Sequence, residues 1–344
     1  MMQPNKPYRG TTFLLFLLLM AVSLLSMIYG AVDISTSEIC SSIKKYFSNS
    51  ADLVLNERIF LQIRLPRVIL CVFVGATLAV GGVLMQGLFR NPIVEPGLVG
   101  TSSGAAFGAA LYFVLGATMK FNTGEWTLPL AACAGGILST SLVFLLSRSR
   151  HTGKSSIVSL LLTGIAINAL FLSGIGFLSY IARDPQARSI TFWNLGTLSG
   201  ANWHSVIIVG FFTLTCFLIA LRYAKHLNAL MIGEDEAVYL GVNVRKLKLI
   251  ILLINVVMVA VATAFVGVIG FVGLIVPHLL RIVNGSDNRF LIRNGALLGA
   301  ILLCFSDLAA RLLVKPAELP IGIVTSVIGV PVFIILLRSK NYLF

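Results

Sequence analysis

A run of about twenty residues without a charge, bounded on both sides by arginine, decides the class of fold more firmly than any other feature of this chain. Between Arg67 and Arg90 the sequence reads VILCVFVGATLAVGGVLMQGLF. A helix rises about 1.5 Å per residue, so such a run matches the roughly 30 Å hydrocarbon thickness of a bilayer. An arginine at the bilayer centre costs about 2.5–3.5 kcal/mol, which places Arg64 and Arg67 near one interface and Arg90 near the other. After a break at Arg90-Asn91-Pro92 the chain restarts, with Gly100, Gly104 and Gly108 spaced four apart. Residues four apart share a helix face, and a small-residue stripe lets a second backbone approach closely. We therefore expect these glycines to form a helix-packing surface.

Composition extends this reading to the whole chain. Hydrophobic residues make up 57% of 344, charged residues 11%, and the mean hydropathy is +0.95. A soluble domain carries about one-quarter charged residues, so the expected class is an all-α polytopic membrane protein. The length accommodates about ten transmembrane helices in a single domain over residues 1–344, with short surface helices in the loops. The apolar runs predict spans at Thr11–Gly30, Ile59–Phe89, Leu98–Met119, Trp126–Ser147, Ile157–Ile181, Trp203–Arg222, Leu247–Val266, Phe290–Val314 and Ile321–Leu337. Gly267–Leu280 is too short and glycine-rich for a straight crossing and predicts a helix that is short or partly buried. The first run exceeds the 7–15 residues of a signal-peptide core and is retained as a span. The polar segment Ala31–Glu57 contains an amphipathic stretch, SEICSSIKKYFSN, and a second short helix is expected around Ser189–Leu198. Lysines and arginines concentrate in the Arg148–Lys154 loop and in Tyr223–Lys246, which places these loops and both termini on the cytoplasmic side. The net charge of +13 is scattered between apolar runs, so it sets orientation and gives no reason to expect nucleic acid.

Several chemistries are excluded. Cys40, Cys71, Cys133, Cys216 and Cys304 lack any ligand spacing, and His151, His204, His226 and His278 form no local pair, so neither a metal centre nor a disulfide is expected. There is no G-x-x-x-x-G-K-[ST], H-E-x-x-H or G-x-S-x-G, so ATP-driven work requires a separate subunit. An ion-driven carrier would want unpaired carboxylates within spans. Asp307 alone qualifies, and Arg311 stands one turn away to neutralise it. Gln86, Asn255 and His278 read as helix-to-helix hydrogen-bonding groups.

The pattern RLPR, then G-A-x-L-A-x-x-G, then Q-x-x-x-R-N-P-x-x-E-P-G-L-x-G-x-x-x-G-A resembles the permease subunits of bacterial ATP-driven importers for iron siderophores, haem and cobalamin, the FecCD-type or type II importers. GEDEAVYLGV at Gly233–Val242, GFVGLIVPHLLR at Gly270–Arg281 and ELPIGIVTSVIGVPVFIILL at Glu318–Leu337 extend the likeness, which runs from about residue 60 to the end. The FWNLGTLSGANW segment is most similar to the haem importers. The resemblance implies a homodimeric permease in the bacterial inner membrane. It binds no cofactor itself, works with two cytoplasmic ATPase subunits that hold ATP and Mg, and receives cargo from a periplasmic or lipid-anchored substrate-binding protein.

Candidate sites follow. In Tyr223–Lys246 two glycines bracket a dense acidic cluster, which suits a short helix with its acids at the positive N-terminal end. The resemblance makes Gly233, Glu234, Asp235, Glu236, Ala237, Leu240 and Gly241 the coupling element that enters the ATPase subunit. Arg64, Arg67 and Arg311 lie near the external face, and the resemblance has them receive acidic residues of the binding protein; for Arg311, pairing with Asp307 is the alternative. The resemblance places the fifth span and the segment after it along the translocation path, with Thr163, Asn168 and Ser173 in the span and Phe192, Trp193 and Asn194 at the outer mouth. An interfacial aromatic belt is the alternative for the last three.

Overall fold

The computed structural model describes residues 8–30, 34–48, 54–116, 124–147 and 157–338. Helices follow one another as α1 (Tyr8–Ile28), α2 (Thr36–Phe47), α3 (Leu55–Ile59), α4 (Leu65–Phe89), α5 (Thr101–Leu115), α6 (Thr127–Leu146) and α7 (Ile157–Ile181). The remainder are α8 (Asp184–Asn194), α9 (Trp203–Ile232), α10 (Glu234–Tyr239), α11 (Val244–Val266), α12 (Val272–Asn284), α13 (Asn288–Leu312) and α14 (Ile321–Arg338). Among the described residues, 7 helices are long and apolar enough to cross a membrane, and three shorter apolar helices, within α5, α12 and α14, accompany them. The fold is an all-α polytopic bundle.

Most expected spans lie where the apolar runs put them, and α7 has the predicted bounds. Four boundaries differ for local reasons. The second span starts earlier, because α3 passes through a wide turn at Phe60–Arg64 directly into α4. The third span is short, because Pro96–Val99 forms a tight 3-10 turn and Gly100 adopts φ +90° before α5 begins. The short helix expected at Ser189–Leu198 is α8, which starts at Asp184 with a proline in its first turn. The sixth span does not end at Arg222: Ala224, Leu227 and Leu230 continue its buried face, and nothing breaks α9 before Gly233. The Arg148–Lys154 loop lies outside the described residues.

The hub is α4, buried along nearly its whole length between α9, α11, α12 and α13. It crosses α13 at Gly75 and Gly299 and α12 at Gly82 and Gly273, positions where a methyl group would be driven into the opposing backbone carbonyl. Gly104 and Gly108 meet the backbone of α6 at Gly135 and Ala131 in the same way, while Gly100 faces the Ser139 hydroxyl. A polar tie reinforces the α4–α12 crossing. Pro277 has no N–H, so the Gly273 carbonyl one turn earlier lacks its helical donor. The Gln86 side-chain amide donates to the Gly273 and Leu274 carbonyls at 3.2 and 3.3 Å, and its oxygen accepts from Arg281 at 2.6 Å. A second tie, from the Asn255 amide to the Pro96 carbonyl at 3.1 Å, holds α11 to the 3-10 turn.

Candidate functional site

Three places in the bundle gather the candidate side chains. At one end, α9 stops at Gly233 and α10 stands out as a knob. Its C-terminus is closed by paired turns: Gly241 N–H donates to Val238 and Val242 N–H to Ala237, with Gly241 at φ +80°. This glycine-closed end satisfies the last carbonyls and turns the chain sharply into α11. The residues divide by role. Ala237 is fully buried and anchors the knob, whereas Asp235 and Glu236 are exposed at its positive N-terminal end. Glu234 turns back, both of its oxygens 2.7 Å from Lys248 Nζ on α11. The tip is apolar and bare: Val238, Tyr239 and Leu240 are 58, 89 and 64% exposed. The sequence reading named the acids and Leu240 and missed Val238 and Tyr239; the signal was present in the motif, as two apolar residues on a helix too short to bury them.

At the opposite end, Arg64, Arg67 and Arg311 come together as expected, but they point inward. Each is less than 10% exposed. Arg67 Nε donates to Asp307 at 3.0 Å, and its two terminal nitrogens make a bidentate pair with Glu318, both at 3.0 Å. Arg311 Nε lies 3.0 Å from the other Asp307 oxygen. Arg64 donates to the Met27 and Ile28 carbonyls at 2.8 and 2.7 Å, and Arg311 to those of Ser26 and Tyr29, both at 3.2 Å. Three of these carbonyls belong to the last turn of α1, which has no basic residue of its own, and the fourth, that of Tyr29, directly follows it. A helix leaves its final carbonyls unpaired and its C-terminus partly negative, so two guanidinium groups brought from elsewhere complete it. In the single chain all three arginines are turned into the bundle, and only the Arg67–Glu318 pair reaches the rim, Glu318 being 40% exposed.

Between the two ends lies a cavity of about 400 Å³ where the 3-10 turn meets α4, α5, α7, α8 and the start of α12. Asn168 and Asn194 both line it; Thr163, Ser173, Phe192 and Trp193 do not. Ser173 and Phe192 are exposed on the outside of the bundle, and Trp193 is buried against α5. Asn168 is held in place by Ser103 and by the Leu98 carbonyl, at 2.5 and 3.1 Å. The residue missed by the sequence reading is Glu95. Its carboxylate lines the cavity and accepts the Phe271 N–H at 2.8 Å, bracing the left-handed Phe271 (φ +69°) that opens α12. Among the described residues no cation pairs with it. Its signal was a lone carboxylate three residues after Pro92 of the Asn-Pro break.

Outside the membrane-spanning segments, Asp287 at the start of α13 is partly buried, which raises its pKa. Hydrogen bonds from Arg289 and Asn228 outweigh this and hold it below the ordinary carboxylate range.

Residues 18–339 match the FecCD transport family. The hemin transport system permease protein of Yersinia pestis is 44% identical over 82% of this chain and 84% of its own. The vitamin B12 import system permease protein of Vibrio vulnificus is 34% identical over 98 and 96% of the two chains. A solved structure of a metal-chelate type ABC transporter in an inward-facing conformation superposes with a TM-score of 0.84 at 32% identity, covering 96% of this chain and 99% of the other. The chain belongs to the FecCD transport family and is the multi-pass permease subunit of a bacterial ABC importer, with ATP hydrolysis left to a separate subunit.

Proposed function

We propose that two copies of this chain form the membrane core of an importer for a metal chelate, haem being the cargo and iron siderophores or cobalamin the alternatives within the family. The α10 knob carries this reading. A buried alanine fixes it, two of its three acids are exposed, and its apolar tip of Val238, Tyr239 and Leu240 lies bare beside them. Such a surface suits a groove on a cytoplasmic ATPase subunit, one per copy, which would hold ATP and Mg. Closure of the two ATPases then pushes the knobs together, with residues 233–243 acting as the coupling segment of an otherwise single permease domain.

On the opposite, periplasmic side a loaded binding protein docks over the Arg67–Glu318 rim. An acidic residue of the binding protein replaces Glu318 on the Arg67 fork, as planar bidentate recognition favours. Arg64 and Arg311 keep the end of α1 in place beneath it. Cargo descends between the two copies of α7, whose Ser173 side faces outward, and passes the cavity of Asn168, Asn194 and Glu95. Both termini lie in the cytoplasm, and lipid surrounds the exposed apolar faces. Both Asp307 oxygens lie within ion-pair distance of guanidinium groups, so the carboxylate that the sequence offered to an ion-gradient mechanism is paired.

ATP-driven uptake by the reconstituted importer, offered haem, a ferric hydroxamate chelate and cobalamin in turn, tests the cargo. Haem uptake above the other two supports the proposal; preference for either of them overturns the haem assignment and leaves the family intact.

A further inference from the structure

The knob is joined to the rest of the bundle by more than its own helix. In the last two turns of α9, immediately before Gly233, Asn228 Nδ2 donates to Asp287 Oδ1 at 2.8 Å, and Asn228 Oδ1 accepts both the backbone N–H and the side-chain amide of Asn288, each at 2.8 Å. The Asn288 amide also reaches Met231 Sδ at 3.0 Å. Asp287 caps α13 and Asn288 is its first residue, completely buried. Thus the helix that ends in the knob is clasped to the first turn of α13. That helix is 25 residues long, a rod of roughly 37 Å at the α-helical rise. Its far end carries Asp307 and Arg311 in the ion-pair cluster with Arg67. A rigid element fixed at both ends to different partners can carry a displacement between them.

We propose that the Asn228–Asp287–Asn288 clasp is the joint that passes movement of α10 to α13, and through α13 to the periplasmic face where the binding protein docks. The three residues are positioning residues: they touch neither cargo nor ATPase. This inference rests on the coupling role of α10. Its logic is one of polarity. Asn228 offers a donor to a carboxylate and an acceptor to two amide groups, so an aspartate there would set two carboxylates against each other.

The test uses the complete importer in proteoliposomes and reads cargo moved per ATP hydrolysed. Asn228→Asp is expected to lower this ratio at least fivefold, with hydrolysis persisting and the ATPase still bound. Adding Asp287→Asn restores the missing donor, and the double variant is expected to recover most of the native ratio. A native ratio in Asn228→Asp overturns the proposal, as does a double variant that stays as uncoupled as the single one. Thermal unfolding of both variants separates lost coupling from lost fold: if the double variant regains stability without regaining the ratio, the clasp is merely structural and the proposal fails. Tyr239→Ala serves as the companion. If it leaves the ratio unchanged, the coupling role of α10 fails; if it uncouples and Asn228→Asp does not, the clasp alone fails.

Discussion

Replacing Asp307 with asparagine removes one negative charge from a buried cluster in which Asp307 and Glu318 face Arg67 and Arg311. Asp307 is 1% exposed, so little solvent screens the loss. The amide can still accept from Arg67 through one oxygen, but its NH2 then confronts Arg311 Nε where an oxygen stood at 3.0 Å, a donor against a donor. Removing one partner from a buried pair costs about 3–5 kcal/mol. Here the lower end applies, because Arg67 retains Glu318 and Arg311 retains Ser26 and Tyr29. We expect a loss of about 3 kcal/mol, roughly a hundredfold in the folded ratio. Unfolding in mixed micelles under SDS titration measures it, with Ser306→Ala as the control. The Ser306 hydroxyl is fully buried without a hydrogen-bond partner, so its removal should be neutral or slightly stabilising. A loss below about 1 kcal/mol for Asp307→Asn, the range of a screened surface pair, would refute the view that this cluster pins the neighbouring ends of α4 and α13 together.

Other outcomes follow from the same geometry. Gly82→Ala drives a methyl group into the Gly273 carbonyl and should cost about 1–3 kcal/mol by forcing α4 from α12, whereas Gly176→Ala, with nothing within 4 Å of its added carbon, should be neutral or stabilising by up to about 1 kcal/mol; the same SDS titration compares them. Glu95→Gln keeps the acceptor for Phe271 but removes the charge from the cavity, so uptake should change with stability and ATP hydrolysis intact. Identical uptake kinetics for several chelates would remove Glu95 from the path. Glu95→Ala, in contrast, leaves the Phe271 N–H without its partner and should lower stability by about 1–3 kcal/mol.

What the sequence made legible was local. The limits of α7, the short α12 with its glycine-rich approach, the knob between Gly233 and Gly241, and the close-packing face of Gly104 and Gly108 all follow from periodicity and chain breakers within a few residues of each site. What escaped was set by contacts distant in sequence. Nothing near Ser26 or Ile28 tells that Arg311, 285 residues on, and Arg64, 36 residues on, complete the end of α1. An arginine read alone at an interface looks like a docking group; only the packing of α1 beside α4 and α13 turns it inward. Glu95 is similar, since its meaning depends on Phe271, 176 residues away. The extension of α9 beyond Arg222 was missed for another reason: charged residues there resemble a loop, while the buried face of Ala224, Leu227 and Leu230 keeps the helix going.

The most direct test of the account is purification of the chain from its native membrane in mild detergent, with quantitation of any nucleotide-hydrolysing subunit that accompanies it. We predict one ATPase per permease chain, and its loss when Val238, Tyr239 and Leu240 are replaced together by serine. A chain recovered alone, which still moves solute into sealed vesicles without ATP, would contradict the central claim.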